Sequence, residues 1–253
     1  MMKWIFIDTG ENPGQFNMDF DLKLCTLVST TKKPILRFYK WKPYAISLGY
    51  HQKLDSINTD LAKQNNIDIV IRPTGGRSIL HSEELTYSVV FPLEAVSPHN
   101  LYQLISDSIV KGLHLYDRKL RKINLEKSQI DFKEFYKSSR SIPCFSSTAK
   151  NEIKFENKKL VGSAQRVLAS SILQHGSILC GNYHKNLVNY LKLSNEEKQL
   201  LKKDLDEKTI SLFEILNEEI DYSKLKKCIR RGFESTFGAE FLEPNLEVTN
   251  EFI

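Results

Sequence analysis

Cys144 sits in Arg-Ser-Ile-Pro-Cys-Phe-Ser-Ser, a stretch whose proline and serines predict a loop where a thiol need not be packed away. Fifteen residues on, Lys159 opens Lys-Leu-Val-Gly162-Ser163-Ala164-Gln, a lysine ahead of small residues that leave open space beside a strand. Taken alone, that lysine reads as a surface residue on a hairpin. Arg72-Pro-Thr-Gly75-Gly76-Arg77 follows a predicted strand directly. Paired glycines let a backbone take positive φ and approach a ligand, and adjacent N–H groups can face an anion or a carbonyl oxygen. The run is neither a P-loop, having no Gly-Lys-Ser/Thr, nor a dinucleotide fingerprint, and by itself Gly-Gly after a strand is more often a turn. His81 ends the next strand, where a lone histidine is usually structural. Gln174-His175-Gly176-Ser177 sets a glycine mid-strand, a sign of close backbone approach.

The elements that must position these residues follow from periodicity. Trp4–Ile7 reads as a strand, and Phe16, Phe20, Leu24 and Leu27 mark a helix over 16–28. Ile35–Trp41 and Ala45–Gly49 read as a strand pair joined through Lys42-Pro43-Tyr44. Asp60–Gln64 is a short helix and Ile67–Ile71 a β-branched strand; a Gly-Gly turn follows, then Ser78–His81 and Leu85–Phe91, both strand-like. Leu101, Leu104, Ile105, Ile109, Leu113 and Tyr116 line one face of a helix from about Asn100. Glu152–Phe155 and Lys159–Leu168 form a hairpin turning at Asn157-Lys158, and Ser171–Cys180 supplies another strand. From about residue 190 the chain is helical, over 195–207, 210–216 and 223–237. Strands and helices without strict βαβ alternation favour α+β, with a mixed, largely antiparallel sheet flanked by helices. No repeat, linker or domain boundary appears, so residues 1–253 are read as a single domain.

The 253 residues, 41% hydrophobic and 26% charged, exclude a disordered or fibrous chain. The longest apolar stretches, such as Tyr87–Leu93, are strand-sized, and the opening Trp-Ile-Phe-Ile is too short for a secretory signal. Cytoplasm, with no membrane, is the expectation. The net charge of +5 gathers in Lys32–Lys42, Arg118–Lys122 and Lys224–Arg231, which suit solvated faces or an acidic partner. No zinc-finger spacing or aromatic RNA-binding strand accompanies them, which argues against nucleic acid. The cysteines, at 25, 144, 180 and 228, form no Cys-x-x-Cys pair and no metal-ligand spacing. Three of them fall on apolar faces or at a strand end and read as buried filler.

Six ordered segments carry a resemblance. They are Asn17-Met18-x-x-Asp21, Ser47-Leu-Gly-Tyr-His-Gln52, Arg72 to His81, Leu85-Thr-Tyr-Ser88, Lys159 to Gln165, and Gln174-His-Gly-Ser-Ile-Leu179. The series resembles the lipoate-protein ligase A superfamily, which includes biotin ligases and lipoyl or octanoyl transferases. The resemblance runs from about Trp4 to Leu179 and extends to Gly232-Phe-Glu…Phe237-Gly238. It implies a biotin/lipoate protein ligase-like domain with an acyl chain in a tunnel beside the Gly-Gly loop and the Lys-x-x-Gly strand. Arg72, Gly75, Gly76, His81, Gly162, Ser163, Ala164 and Gly176 are then its substrate-binding residues.

Ligases of this group commonly continue Gly-Gly as Gly-Ala-Val and then His-Asp-x-Gly-Asn. This chain has Arg77, then Ser82-Glu-Glu-Leu-Thr86, and little length for an accessory domain. With Pro143-Cys144-Phe145 ahead of the hairpin it resembles the octanoyltransferase branch that works through a cysteine acyl-enzyme. That likeness implies Cys144 as nucleophile and Lys159 as its activator. It implies acyl carrier protein as octanoyl donor, a lipoyl-domain protein such as glycine cleavage H protein as acceptor, and no cofactor beyond the donor's phosphopantetheine. A free thiol, with pKa about 8.5, is a few per cent thiolate at neutral pH, and a neighbouring ammonium raises that fraction. The alternatives are an ATP-dependent lipoate ligase, an amidotransferase between lipoyl domains, and a non-catalytic acyl- or biotin-binding regulator.

Overall fold

The computed structural model describes residues 2–125 and 152–242. In chain order the main elements are β1 (Met2–Asn12), α1 (Gly14–Thr31), β2 (Ile35–Trp41), β3 (Ala45–Leu48), α2 (Thr59–Gln64), β4 (Asp68–Ile71), β5 (Ile79–His81) and β6 (Glu84–Pro92). Then come α3 (Pro98–Tyr116), β7 (Asn124–Leu125), β8 (Ile153–Phe155), β9 (Lys158–Leu168) and β10 (Ser171–Leu179). The last are α4 (Asn195–Lys208), α5 (Leu212–Leu216), α6 (Tyr222–Phe237) and β11 (Ala239–Leu242). An eight-stranded sheet runs β11-β1-β2-β6-β10-β9-β8-β7, and a three-stranded sheet runs β4-β3-β5. β1 is parallel to both β2 and β11, and β3 to β4; the remaining pairs are antiparallel. This is the mixed, largely antiparallel α+β architecture expected.

β6 and β10 are buried at every residue because both faces of the large sheet are covered. Leu85, Tyr87, Val89 and Phe91 belong to the main core with Leu101, Ile105 and Ile109 of α3 and Leu225, Ile229 and Phe233 of α6. The alternate residue Val90 packs with Phe20 and Leu24 of α1, while Ser88 and Thr86 on that same face carry polar bonds. Alternation along one strand thus separates a dry core from a polar layer.

α3 starts at Pro98, two residues before the predicted start, because the Ser97 hydroxyl accepts the Asn100 N–H and proline suits the first helical turn. α3 and α6 approach closely enough that a Cβ on Gly232 would lie 2.0 Å from the Ser108 carbonyl oxygen.

The structure departs from the sequence reading in further places. β2 and β3 are strands but lie in different sheets, so the chain crosses from one sheet to the other through Lys42-Pro43-Tyr44. The hairpin turns at Glu156-Asn157, both at positive φ (47° and 66°), one residue earlier than read. β11 was not expected; it is too short to show a period and is set by pairing with β1. The basic run Lys32–Lys42 is not one face: Arg37 is buried, and Lys40 pairs with Glu11 and lies over the Tyr222 ring. In the third run, Lys226 pairs with Asp8 and Arg230 stacks on Phe6 and Phe241.

Among the described residues, no helix is long and apolar enough to cross a membrane, and no group of three His, Cys, Asp or Glu is placed to hold a metal ion.

Candidate active site

Between the two sheets lies a narrow cavity of about 20 Å³, room for about one water. It is bounded by Met18, Tyr39 and Trp41 from α1 and β2, and by Ser47, Arg72, Ile79 and His81 from the small sheet and its loop. Thr86, then Gly162-Ser163-Ala164 of β9 and His175-Gly176-Ser177 of β10, close the other side. Glycines at 162 and 176 face neighbouring strands, and a Cβ on Gly176 would lie 2.6 Å from the Gly162 carbonyl oxygen. Met18, unbranched and with three rotatable bonds, is the wall residue best able to turn aside.

Many lining residues are polar, yet their polar atoms are turned toward one another. His81 donates Nδ1–H to Glu84 Oε1 at 2.8 Å, and its Nε2 meets the Ser47 hydroxyl at 2.7 Å. Thr86 and Ser177 hydroxyls donate to the same Glu84 oxygen at 2.6 and 2.7 Å. Trp41 stacks on the His81 ring at 4.0 Å and donates its indole N–H to Thr86. A second cluster surrounds Asp21: Arg37 at 2.7 Å, the Ser88 hydroxyl at 2.8 Å and His175 Nδ1 at 3.2 Å. His175 Nε2 meets the Thr74 hydroxyl at 2.6 Å, which ties α1 to the Gly-Gly loop through one ring. These paired groups line a cavity that presents mainly carbon to its contents.

Burial by itself raises the carboxyl of Asp21, but Arg37 and His175 outweigh it and hold the group below its ordinary 3.8. Burial likewise raises Glu84, and His81, Thr86 and Ser177 bring it below 4.5. Burial lowers His175 below 6.5 despite Asp21, so the ring is neutral at pH 7. An acid whose pKa is lower folded than unfolded adds stability that is complete above the unfolded value and lost as pH falls through the folded one. Below about pH 4.5 the protein is therefore expected to lose stability steeply. Glu84→Gln should flatten that fall, read as the melting temperature by circular dichroism at pH 2–6. Parallel curves for both proteins would contradict the assignment.

Arg72 is the anchor of the loop. Its guanidinium donates to the Gly75 carbonyl at 2.9 Å, the Arg77 carbonyl at 2.7 Å and Ser47 at 3.1 Å. Gly76 takes φ +97°, open to glycine, and its carbonyl oxygen lies 2.1 Å from where a Cβ on Gly49 would stand. Gly49→Ala must therefore displace the loop. The expectation is a melting loss on the order of 1–3 kcal/mol, whereas Gly75→Ala enters open space and should spare the fold. Equal melting temperatures for Gly49→Ala and the parent would refute the close approach.

The structure thus brings Arg72, His81, Gly162, Ser163, Ala164 and Gly176 together on one cavity. Gly75 and Gly76 are not on its wall and belong to the loop pinned behind Arg72. Lys159 is not on that wall either. Far from being a surface hairpin lysine, it is 3% exposed, and its Nζ lies 2.6 Å from Glu152 Oε1 across the β8–β9 hairpin. Cys144 lies outside the described residues. The sequence reading gave Glu152 no role, and it carried Met18, Ser47, Thr86 and His175 in its ordered segments without naming them as site residues. No local signal marks Glu152: the hairpin register sets Lys159 opposite Lys154, and the Glu152 contact reaches past that pair. Cys25, Cys180 and Cys228 are buried, as expected of filler.

With this geometry in hand, comparison with known proteins is informative. The pattern of the lipoyl protein ligase A/B catalytic domain matches residues 13–234. Octanoyltransferase LipM of Clostridioides difficile is 35% identical over 253 residues, covering 97% of this chain and 91% of that protein. Octanoyltransferase LipM of Bacillus subtilis is 33% identical over 250 residues, covering 95% and 88%. Among solved structures, a bi-partite lipoate protein ligase from Thermoplasma acidophilum superposes with a TM-score of 0.77 at 20% identity, over 100% of this chain and 91% of that one. That last likeness establishes the fold.

Proposed function

The chain belongs to the lipoyl protein ligase A/B catalytic domain family, and from that premise we propose that it moves an octanoyl group from acyl carrier protein, through a thioester on Cys144, to a lysine of a lipoyl-domain protein. It is an acyltransferase. The observation that carries the reading is its end-to-end match, over 97% and 95% of the chain, to relatives named octanoyltransferase.

The chemistry needs little from outside the chain. The Cys144 thiolate attacks the donor thioester carbonyl, a C–S bond forms, the donor's C–S bond breaks, and the phosphopantetheine sulfur leaves with the bonding pair and takes a proton from water. One thioester is exchanged for another, so no ATP or metal is called for. The acceptor's amine then attacks the acyl-enzyme, and the amide formed is the more stable product. Lys159, buried and charged, supplies the ammonium that favours thiolate over thiol. The cavity takes the acyl chain, and the acidic character expected of both protein partners suits a chain of net charge +5.

Intact-mass spectrometry after mixing with octanoyl-acyl carrier protein, without ATP, tests the reading. One added octanoyl mass, discharged on adding a lipoyl-domain protein, is the expected result. A requirement for ATP and free acid would favour a ligase and overturn it.

A further inference from the structure

Of the residues that line the cavity, Ser163 and Ala164 are the two that are not buried, so its described wall meets solvent at that point of β9. Alternate residues of a strand share a face, which puts Arg166 on the side of Gly162 and Ala164, next along the entrance. Its guanidinium is held twice over. Nη1 donates to the Pro73 carbonyl at 2.7 Å, and Cζ lies 4.0 Å from the centre of the Tyr50 ring, itself 51% exposed. Arginine has five N–H groups, and among the described residues no acceptor other than Pro73 meets them. The Gly-Gly loop adds two more donors. The Thr74 carbonyl accepts from Tyr50 and the Gly75 carbonyl from Arg72, and across a trans peptide the N–H points opposite to the C=O. The N–H groups of Gly75 and Gly76 therefore face away from those partners, and neither donates to a described residue. A Cβ on Gly75 would meet nothing within 4 Å, so the loop faces open space there. The rim of the entrance thus presents a positive charge and N–H donors directed outward.

We infer that Arg166, with the Gly75 and Gly76 N–H groups, recognises a carboxylate that flanks the acceptor lysine on the lipoyl-domain protein. The inference rests on the reading above, in which the acyl chain lies in the cavity and is discharged to that lysine. A chain that fills the cavity holds its carbonyl at the entrance, where the described wall meets solvent. The donor delivers that carbonyl on a long flexible arm, so its protein body need not touch the rim. The acceptor has no such reach. Its amine hangs on a four-carbon stem, and successive residues of an extended chain stand about 3.3–3.6 Å apart, so the residues next to the lysine come down on the rim itself. A rim of donors calls for acceptors there, and a carboxylate fits the fork of a guanidinium better than a neutral group does. Arg166 is preset by Pro73 and Tyr50, so it gives up little side-chain freedom on binding.

Discharge of the isolated octanoyl-enzyme tests this. Arg166→Gln keeps an N–H for the Pro73 carbonyl, and a melting curve by circular dichroism checks its fold. Octanoyl-acyl carrier protein should load it within a few-fold of the parent rate. Discharge to the lipoyl-domain protein should show a KM raised roughly 10–100-fold, as loss of a charge-assisted hydrogen bond gives, with kcat within a few-fold. Release by hydroxylamine, which carries no carboxylate, should match the parent. Arg166→Lys keeps the charge without the fork and should fall between the two; it also carries the test if the glutamine variant does not fold. On the acceptor, each Asp or Glu within two residues of the lysine is changed to its amide. One of these changes should raise KM with the parent enzyme as Arg166→Gln does, and add little on the Arg166→Gln enzyme. Equal cost on both enzymes, no cost at any position, an unchanged KM in Arg166→Gln, or a loss in loading as large as that in discharge would overturn the assignment. A parent that gains no octanoyl mass defeats the thioester reading instead. Titration calorimetry of the lipoyl-domain protein against the unloaded parent and Arg166→Gln then decides the rim by the same comparison: weaker binding by the variant supports it, and matched affinities refute it.

Discussion

Cys144→Ala is expected to abolish both the acyl-enzyme and the acylated product, with no loss of fold. None of the three cysteines among the described residues suits the proposed thioester. Burial pushes the Cys25 and Cys180 thiols up to about 12, and burial raises Cys228 as well despite Lys224 and Arg231 nearby. All three are enclosed by the core and cannot be thiolates near neutrality. The same replacement at 25, 180 or 228 should leave transfer within a few-fold of the parent, with at most a packing cost in the melting curve. The measurement is intact mass before and after octanoyl-acyl carrier protein, followed by product formation on the lipoyl-domain acceptor. An added octanoyl mass on the Cys144→Ala protein would sink the mechanism.

Why the sequence showed the cavity wall more clearly than the catalytic wiring is a matter of range. Gly162 and Gly176 announce themselves because a glycine inside a strand pattern marks close backbone approach, and here the two strands pair with Gly176 opposite Ser163. β6 and β10 were legible because a run of apolar and β-branched residues bounded by turns has few other ways to fold. The Asp21–Arg37–His175 cluster was not legible, since its members stand 16 and 154 residues apart and meet only through tertiary structure. Lys159 shows the same limit locally. Its neighbours in sequence suggest an exposed hairpin, and what buries it is Glu152 across the turn together with the chain at Thr209 and Ile210. β2 and β3 make the complementary point: each was read correctly as a strand, but which sheet a strand joins is decided by partners far along the chain.

Lys159→Met is expected to cost both stability and transfer, and the two losses have different origins. Removing the ammonium strands the buried Glu152 carboxylate, whose side chain is 4% exposed, and breaking one side of such a pair costs about 3–5 kcal/mol. The melting temperature should drop accordingly. Transfer should fall by orders of magnitude if Lys159 is, as proposed, the cation that favours the Cys144 thiolate. The rate of iodoacetamide alkylation against pH reports that second effect, its midpoint rising toward the free-thiol value of about 8.5. Pairing the change with Glu152→Gln replaces the stranded charge by a neutral amide, so much of the melting loss should return. The alkylation midpoint should remain high in the double variant, since no cation has been restored. Lys158→Met is the control: its ammonium reaches the Asp206 carbonyl at 3.3 Å on an exposed face, and losing it should move neither quantity. If the double variant regained transfer along with stability, the fault in Lys159→Met would be the stranded carboxylate, and Lys159 would be a structural partner of Glu152 with no part in activating the thiol.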